Sequence, residues 1–247
     1  MGKRPCASSL SFYMKLIIGS CFYEVKAYAP YITSLVDSIK ALNDKGVDFE
    51  YFEHSGDSYV DRAKNTLAHR FMESDATHLF MIDSDLMWNT EGFMRVVEAS
   101  KRGLDVVGGA YPNKNNWATY GAVPVLRDGS YVGHEREGLR VLEMKCIPGG
   151  FLIYTRKAFE MAQPLIKKYH NASEGLNGMS NYEYFRCDIS EKGWRIGEDV
   201  YFQRKYREAG GKIFLEPDIT FTHWGVKGWM GNYHQYLLNK GEKKESV

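Results

Sequence analysis

Apolar positions in the first hundred residues switch between two rhythms. Residues 15–19 (Lys-Leu-Ile-Ile-Gly) form a short apolar run of the strand type, after which Ile32, Leu35, Val36, Ile39 and Leu42 recur at helical spacing until Gly46 offers a stop. Residues 47–52 read as a second strand. Val60, Ala63, Leu67 and Phe71 mark the apolar stripe of a second helix, and the run Thr77-His78-Leu79-Phe80-Met81-Ile82 reads as a third strand that ends abruptly in Asp83. Thr90 is placed to cap a third helix, with Phe93, Val96 and Val97 facing inward, Lys101 and Arg102 near its carboxyl end and Gly103 beyond it. Residues 104–109 then return as a strand. This β-α-β-α-β order predicts an α/β fold with a Rossmann-like, mixed but mostly parallel central sheet flanked by helices.

The pattern changes beyond about residue 110. Tyr, Trp, Asn and Gly crowd into residues 111–117 and 170–197, which are loop compositions, and between them residues 123–126 and 151–154 read as strands, the latter launched by Pro148-Gly149-Gly150. A helix is expected over 198–209, stopped by Gly210-Gly211, with short strands at 212–215 and 220–222. The expected organisation is an extension over 1–13, one domain over 14–235 in two halves (14–110 and 111–235), and a frayed charged tail over 236–247.

Composition narrows the function. The 247 residues are 44% hydrophobic and 26% charged, as in one large globular domain, and 32 basic against 31 acidic residues leave a net charge of +1. No overall field recruits nucleic acid or an anionic membrane, so local sites must do the binding. Cysteines 6, 21, 146 and 187 show no Cys-x-x-Cys pairing, which argues for reduced thiols and against zinc. No apolar run approaches the roughly 20 residues that span a bilayer. A soluble, cytoplasmic protein is expected, and the Asn171 sequon reads as chance.

The chemistry concentrates where the third strand ends. Asp83-Ser84-Asp85 sets two carboxylates at the carboxyl edge of a sheet, where ligands of α/β folds collect. Oxygen donors of this kind suit Mg²⁺ or Mn²⁺, which commonly hold protein carboxylates on one side and substrate phosphates on the other. The same residues would also suit a solvated turn. No Gly-x-Gly-x-x-Gly follows the first strand, so a nucleotide would depend on metal and side chains. Farther on, Glu198-Asp199 stands where a loop enters a helix and could supply a carboxylate that accepts a proton, although acids there also complement the helix dipole. His223 ends a strand, and Gly149-Gly150 allows close backbone approach.

The order Asp83-Ser84-Asp85, Gly149-Gly150, Glu198-Asp199, His223 resembles the core of GT-A-fold glycosyltransferases, over roughly residues 14–225. The resemblance implies that Asp83, Asp85 and His223 bind Mn²⁺ or Mg²⁺, and that the glycine loop lines the donor and acceptor pocket. Asp199 would serve as the base of an inverting transfer, with Glu198 as the second candidate. Arg62 and Asn65, in Arg62-Ala63-Lys64-Asn65, are similar to helix residues that face the nucleotide in such enzymes. Tyr23 and Glu53 would frame the base, Lys114 would add positive charge, and Trp224 and Trp117 would contact sugar. The implied donor is a nucleoside-diphosphate sugar, UDP-sugar ahead of GDP-sugar, and the acceptor a hydroxyl of a glycan or other molecule. Two rivals stand beside this: a non-catalytic nucleotide-sugar or glycan-binding protein on the same fold, and a nucleotidyltransferase, against which residues 19–23 lack a triphosphate loop.

Overall fold

A computed structural model describes residues 13–116, 119–136, 138–170 and 180–242. The amino-terminal elements are β1 (Lys15–Phe22), α1 (Ala29–Asp44), β2 (Asp48–Ser55), α2 (Val60–Glu73), β3 (His78–Ile82), β4 (Leu86–Trp88), α3 (Thr90–Lys101) and β5 (Val106–Gly108). The central sheet runs β2, β1, β3, Phe151–Thr155, β5, Ile213–Leu215, Leu139–Cys146, Val123–Pro124. From β2 to Ile213–Leu215 it is parallel except for Phe151–Thr155, which lies antiparallel between β3 and β5. The mixed, mostly parallel sheet matches the expectation. Strands from both expected halves interleave in it, so the two halves form one domain.

Strand periodicity explains the two-sided core. Ile17, Leu79, Met81, Leu152 and Tyr154 point to one face, where they pack with Leu67 and Phe71 of α2, Phe159 of α4 (Arg156–Ala162) and Phe202 of α5 (Glu198–Glu208). Leu16, Ile18, Phe80, Phe151 and Ile153 point to the other, against Tyr31 of α1 and Phe93 of α3. Gly46 and Gly103 take positive φ values of 62° and 86° just beyond α1 and α3, as their stop positions require.

Several boundaries differ from the pattern reading. Helix α1 buries Tyr31, Leu35 and Leu42 and leaves Ile32 and Val36 exposed, because Ser34 and Ser38 turn inward. Ser34 Oγ donates to the Trp88 carbonyl and accepts from the Trp88 amide, and the Trp88 indole N–H donates to Ser38 Oγ. Asn89, not Thr90, occupies the N-cap position of α3. Residues 123–126 break into two pieces in different sheets. The charged tail is helical at its start, since α6 spans Tyr233–Glu242.

His78, at the start of β3, is buried, and burial pushes its imidazole down to about 4. A histidine whose folded value lies below its unfolded value contributes nothing adverse above about pH 6.5, and stability is lost as pH falls from there towards 4. The loss expected is about 3 kcal/mol. Urea midpoints at pH 7 and pH 4.5 should diverge less for His78→Gln than for the natural chain; equal divergence would remove His78 from the acid response.

Candidate active site

The turn after β3 places Asp83, Ser84 and Asp85 in a cleft of about 320 Å³, with Cys21, Tyr23, Asp57 and Ser58 on its other walls. Burial and the neighbouring carboxylates push the Asp83 carboxyl up, against the opposing pull of Lys64. Asp85 behaves oppositely. Burial disfavours its charge, but the adjoining His223 and Lys114 outweigh burial and hold the carboxyl below its usual value.

The chain returns to this turn three times. Its first return is the loop before Phe151–Thr155, where consecutive glycines each meet a carboxylate. A Cβ on Gly149 would sit 2.5 Å from Asp199 Cβ, and one on Gly150 would lie within hard contact of Asp83 Oδ2 and the Tyr111 hydroxyl. The Gly149 amide donates to Asp199 Oδ2 at 2.8 Å, and the Gly150 amide donates to the Tyr111 hydroxyl at 3.1 Å.

The second return is the start of α5. Asp199 Oδ1 accepts from the Val200 amide at 2.7 Å. Glu198 Oε1 accepts from Lys64 Nζ at 2.9 Å, and Lys64 Nζ also stands 4.0 Å from Asp83 Oδ1. Burial opposes the Glu198 charge, yet the lysine holds its carboxyl below the usual range.

The third return is the Thr220–Trp224 strand, antiparallel to β4, which sets His223 opposite Leu86. His223 Nδ1 lies 2.9 Å from the Pro112 carbonyl. A carbonyl can only accept, so Nδ1 carries the proton and Nε2 faces Asp85 Oδ2 at 3.5 Å. The Trp224 amide fastens the strand to the Asp85 carbonyl at 2.7 Å. The Trp224 ring stacks on Tyr28 at 6.5 Å, and its indole N–H is buried without a partner.

These residues fit a hard divalent cation. Asp85 Oδ1 is buried and has no hydrogen-bond partner, while Oδ2 is engaged by Lys114. The Pro112 carbonyl orients His223 as outer-shell partners orient ligating histidines. Four carboxylates, Asp83, Asp85, Glu198 and Asp199, stand against Lys64 and Lys114, a formal excess of two negative charges. Among the described residues no three histidine, cysteine or carboxylate groups form a ready-made cage. A cation of the Mg²⁺ type takes one or two carboxylates and draws its other ligands from water and phosphate.

Other expected residues are placed differently. Asn65 is buried with its amide committed to the Phe185 backbone: Nδ2 donates to the Phe185 carbonyl at 2.6 Å and Oδ1 accepts from the Phe185 amide at 3.0 Å. It ties α2 to that loop. Arg62 grips Asp57 in two 2.7 Å hydrogen bonds at the cleft rim. Glu53 is exposed on β2 two residues before the strand ends, and Asp57 lines the cleft in its stead. Tyr23 does line the cleft, largely exposed. Trp117 and Asn171 lie outside the described residues. Asp57 and Tyr111 were not anticipated, and neither was Lys64. Its spacing to Leu67 and Phe71 puts it in the apolar stripe of α2, an odd place for a lysine and the signal that could have found it.

No family model matches the chain, and no curated protein matches it. Among solved structures, A197 from STIV aligns at a TM-score of 0.51 and 17% identity, over 86% of this chain and 86% of that one. GalNAc-T7, solved with UDP, GalNAc and Mn²⁺, aligns at 0.49 and 11% identity over 85% of this chain and 44% of its own. A Drosophila β1,4-galactosyltransferase 7 variant, solved with manganese, UDP-Gal and xylobiose, aligns at 0.41 and 14% identity over 81% of this chain and 64% of its own. Nucleotidyltransferases also occur among the neighbours. The chain thus shares its mixed α/β fold with A197 from STIV. At these identities the likeness is one of fold.

Proposed function

We propose that the protein is a metal-dependent glycosyltransferase that moves a sugar from a nucleoside-diphosphate sugar, UDP-sugar in preference, to a hydroxyl of a glycan or other acceptor, with inversion. The observation that carries this reading is the pair of glycines: Gly150 seats Asp83 and Gly149 seats Asp199, so a phosphate-side acid and a proton-accepting acid share one loop. A solvated turn has no use for such packing.

Asp85, Asp83 and His223 would hold Mn²⁺ or Mg²⁺, whose charge offsets that developing on a departing diphosphate. Lys114, already on Asp85, would add positive charge on the same side of the site. The Asp199 carboxylate takes the proton from the acceptor hydroxyl as that oxygen attacks the anomeric carbon. The new carbon–oxygen bond forms on the face opposite the breaking bond to phosphate, and the nucleoside diphosphate leaves with the bonding electrons. One base suffices, because the diphosphate leaves without a proton.

Thermal stability measured with UDP, GDP, CMP and their sugar conjugates, with and without Mn²⁺, tests the reading. A ligand at about 100 times its dissociation constant adds roughly 2.7 kcal/mol. The expected result is a Mn²⁺-dependent rise with UDP and its conjugates that Asp85→Ala abolishes. No rise with any nucleotide would overturn the reading.

A further inference from the structure

Among the described residues, Lys64 is the one buried lysine or arginine, with its side chain 4% exposed. Burial opposes its charge, but the carboxylates of Asp83, Glu198 and Asp199 keep it firmly protonated. The ammonium spans elements far apart in the chain: α2 carries it, the turn after β3 supplies Asp83, and α5 supplies Glu198. Fold stability is a poor explanation for such a group, since a buried ion pair seldom outperforms apolar residues of the same volume. Leu67 and Phe71 continue its stripe, so an apolar side chain would suit the position.

The acid pair makes the difference between the two carboxylates plain. Asp199 is held by backbone amides of Gly149 and Val200, donors that fix its orientation and carry no counter-charge. Glu198 is held by an ammonium that also stands beside Asp83. Remove that ammonium, and Asp83, Glu198 and Asp199 confront one another with no buried cation between them.

We propose that Lys64 is a positioning residue: it draws Glu198 towards the donor-side Asp83 and so leaves Asp199 as the base, joining the donor and acceptor sides of the site through one ammonium. The proposal rests on the transferase reading above. Lys64 acts through Glu198 and Asp83 and takes no proton in the reaction. Its loss should disturb the geometry at the reacting centre more than affinity for the donor, and a misplacement of about 1 Å can cost on the order of 10²-fold in rate.

The test compares the natural chain with Lys64→Met, Glu198→Gln and the double variant, by thermal melting, by calorimetric titration with UDP and Mn²⁺, and by steady-state transfer from the donor that the natural chain uses. Lys64→Met strands the Glu198 charge and should melt earliest. The double variant removes the Glu198 charge together with its partner, leaving Asp83 and Asp199, and should recover most of the melting temperature and bind UDP with Mn²⁺ within about threefold of the natural chain, with the donor KM likewise. Its kcat should nevertheless fall about 100-fold. Recovery of kcat to within about threefold of the natural chain would show a fold-stabilising bridge and overturn the proposal. A rise in donor KM with kcat preserved would overturn it too, by making Lys64 a donor ligand. Failure of the natural chain to bind UDP with Mn²⁺ or to transfer sugar would overturn the transferase reading itself, and this proposal with it.

Discussion

Asp199→Asn should lower sugar transfer by about 10²–10⁴-fold, the usual contribution of a positioned proton acceptor, while leaving Mn²⁺-dependent UDP binding within about threefold. The amide is isosteric, and its carbonyl oxygen can still accept the Gly149 amide hydrogen that Asp199 Oδ2 accepts at 2.8 Å. What it lacks is the ability to take a proton and the second oxygen, which in the natural chain accepts from the Val200 amide. Glu198→Gln provides the contrast. Its carbonyl can still accept from Lys64, whose bond to Glu198 is 2.9 Å long, so transfer should fall by less than about tenfold. Steady-state rates of the two variants, measured beside calorimetric UDP affinity, decide which acid is the base. Full activity in Asp199→Asn, or a collapse confined to Glu198→Gln, reverses the assignment.

Gly150→Ala should be the most damaging small substitution in the site. The added methyl would fall on Asp83 Oδ2 and on the Tyr111 hydroxyl, and the backbone amide of residue 150 bonds to that same hydroxyl. Neither neighbour can yield easily. Tyr111 is buried and packs edge-on against His223, with ring centroids 4.8 Å apart, and Asp83 is bound to the same loop through its backbone amide and the Gly150 carbonyl at 2.8 Å. Overpacking of this kind costs about 1–3 kcal/mol in stability. Displacement of Asp83 and Tyr111 should also weaken Mn²⁺-dependent UDP binding more than tenfold. Gly121→Ala is the matched control, because a Cβ there meets only Pro148 at an ordinary 3.6 Å. If Gly150→Ala binds UDP as the control does, the glycine loop does not seat Asp83 in the way its contacts indicate.

Much of this site was legible along the chain. Asp83-Ser84-Asp85 after an apolar strand, Glu198-Asp199 at a helix start and His223 at a strand end announce themselves because each is a local pattern of residue chemistry set against a period. The glycines were legible only in part. Their conformational freedom suggests close approach, but what approaches is a carboxylate of this same chain, Asp199 for one and Asp83 for the other. Asn65 and Lys64 show the limit most clearly. Both are polar residues on a helix, where exposure is the ordinary reading, and both are buried for reasons that lie more than a hundred residues away, at Phe185 and Glu198.

The same division runs through the fold. Periodicity determined that β1, α1, β2, α2 and β3 exist and in what order, since a side chain's face follows from the 2.0 and 3.6 residue repeats of strand and helix. It missed Leu86–Trp88 and Leu139–Cys146, and it set the buried stripe of α1 too wide, placing Ile32 and Val36 inward with Leu35 and Leu42, because Ser34 and Ser38 look exposed until Trp88 supplies their partners. The antiparallel seating of Phe151–Thr155 between β3 and β5 was likewise settled only by packing. That seating brings Gly149 and Gly150 against Asp199 and Asp83. The sequence by itself determined which chemical groups the protein carries and on which kind of element. The tertiary structure decided which of them meet, because hydrogen bonds, charge balance and excluded volume act between side chains that the chain order leaves far apart.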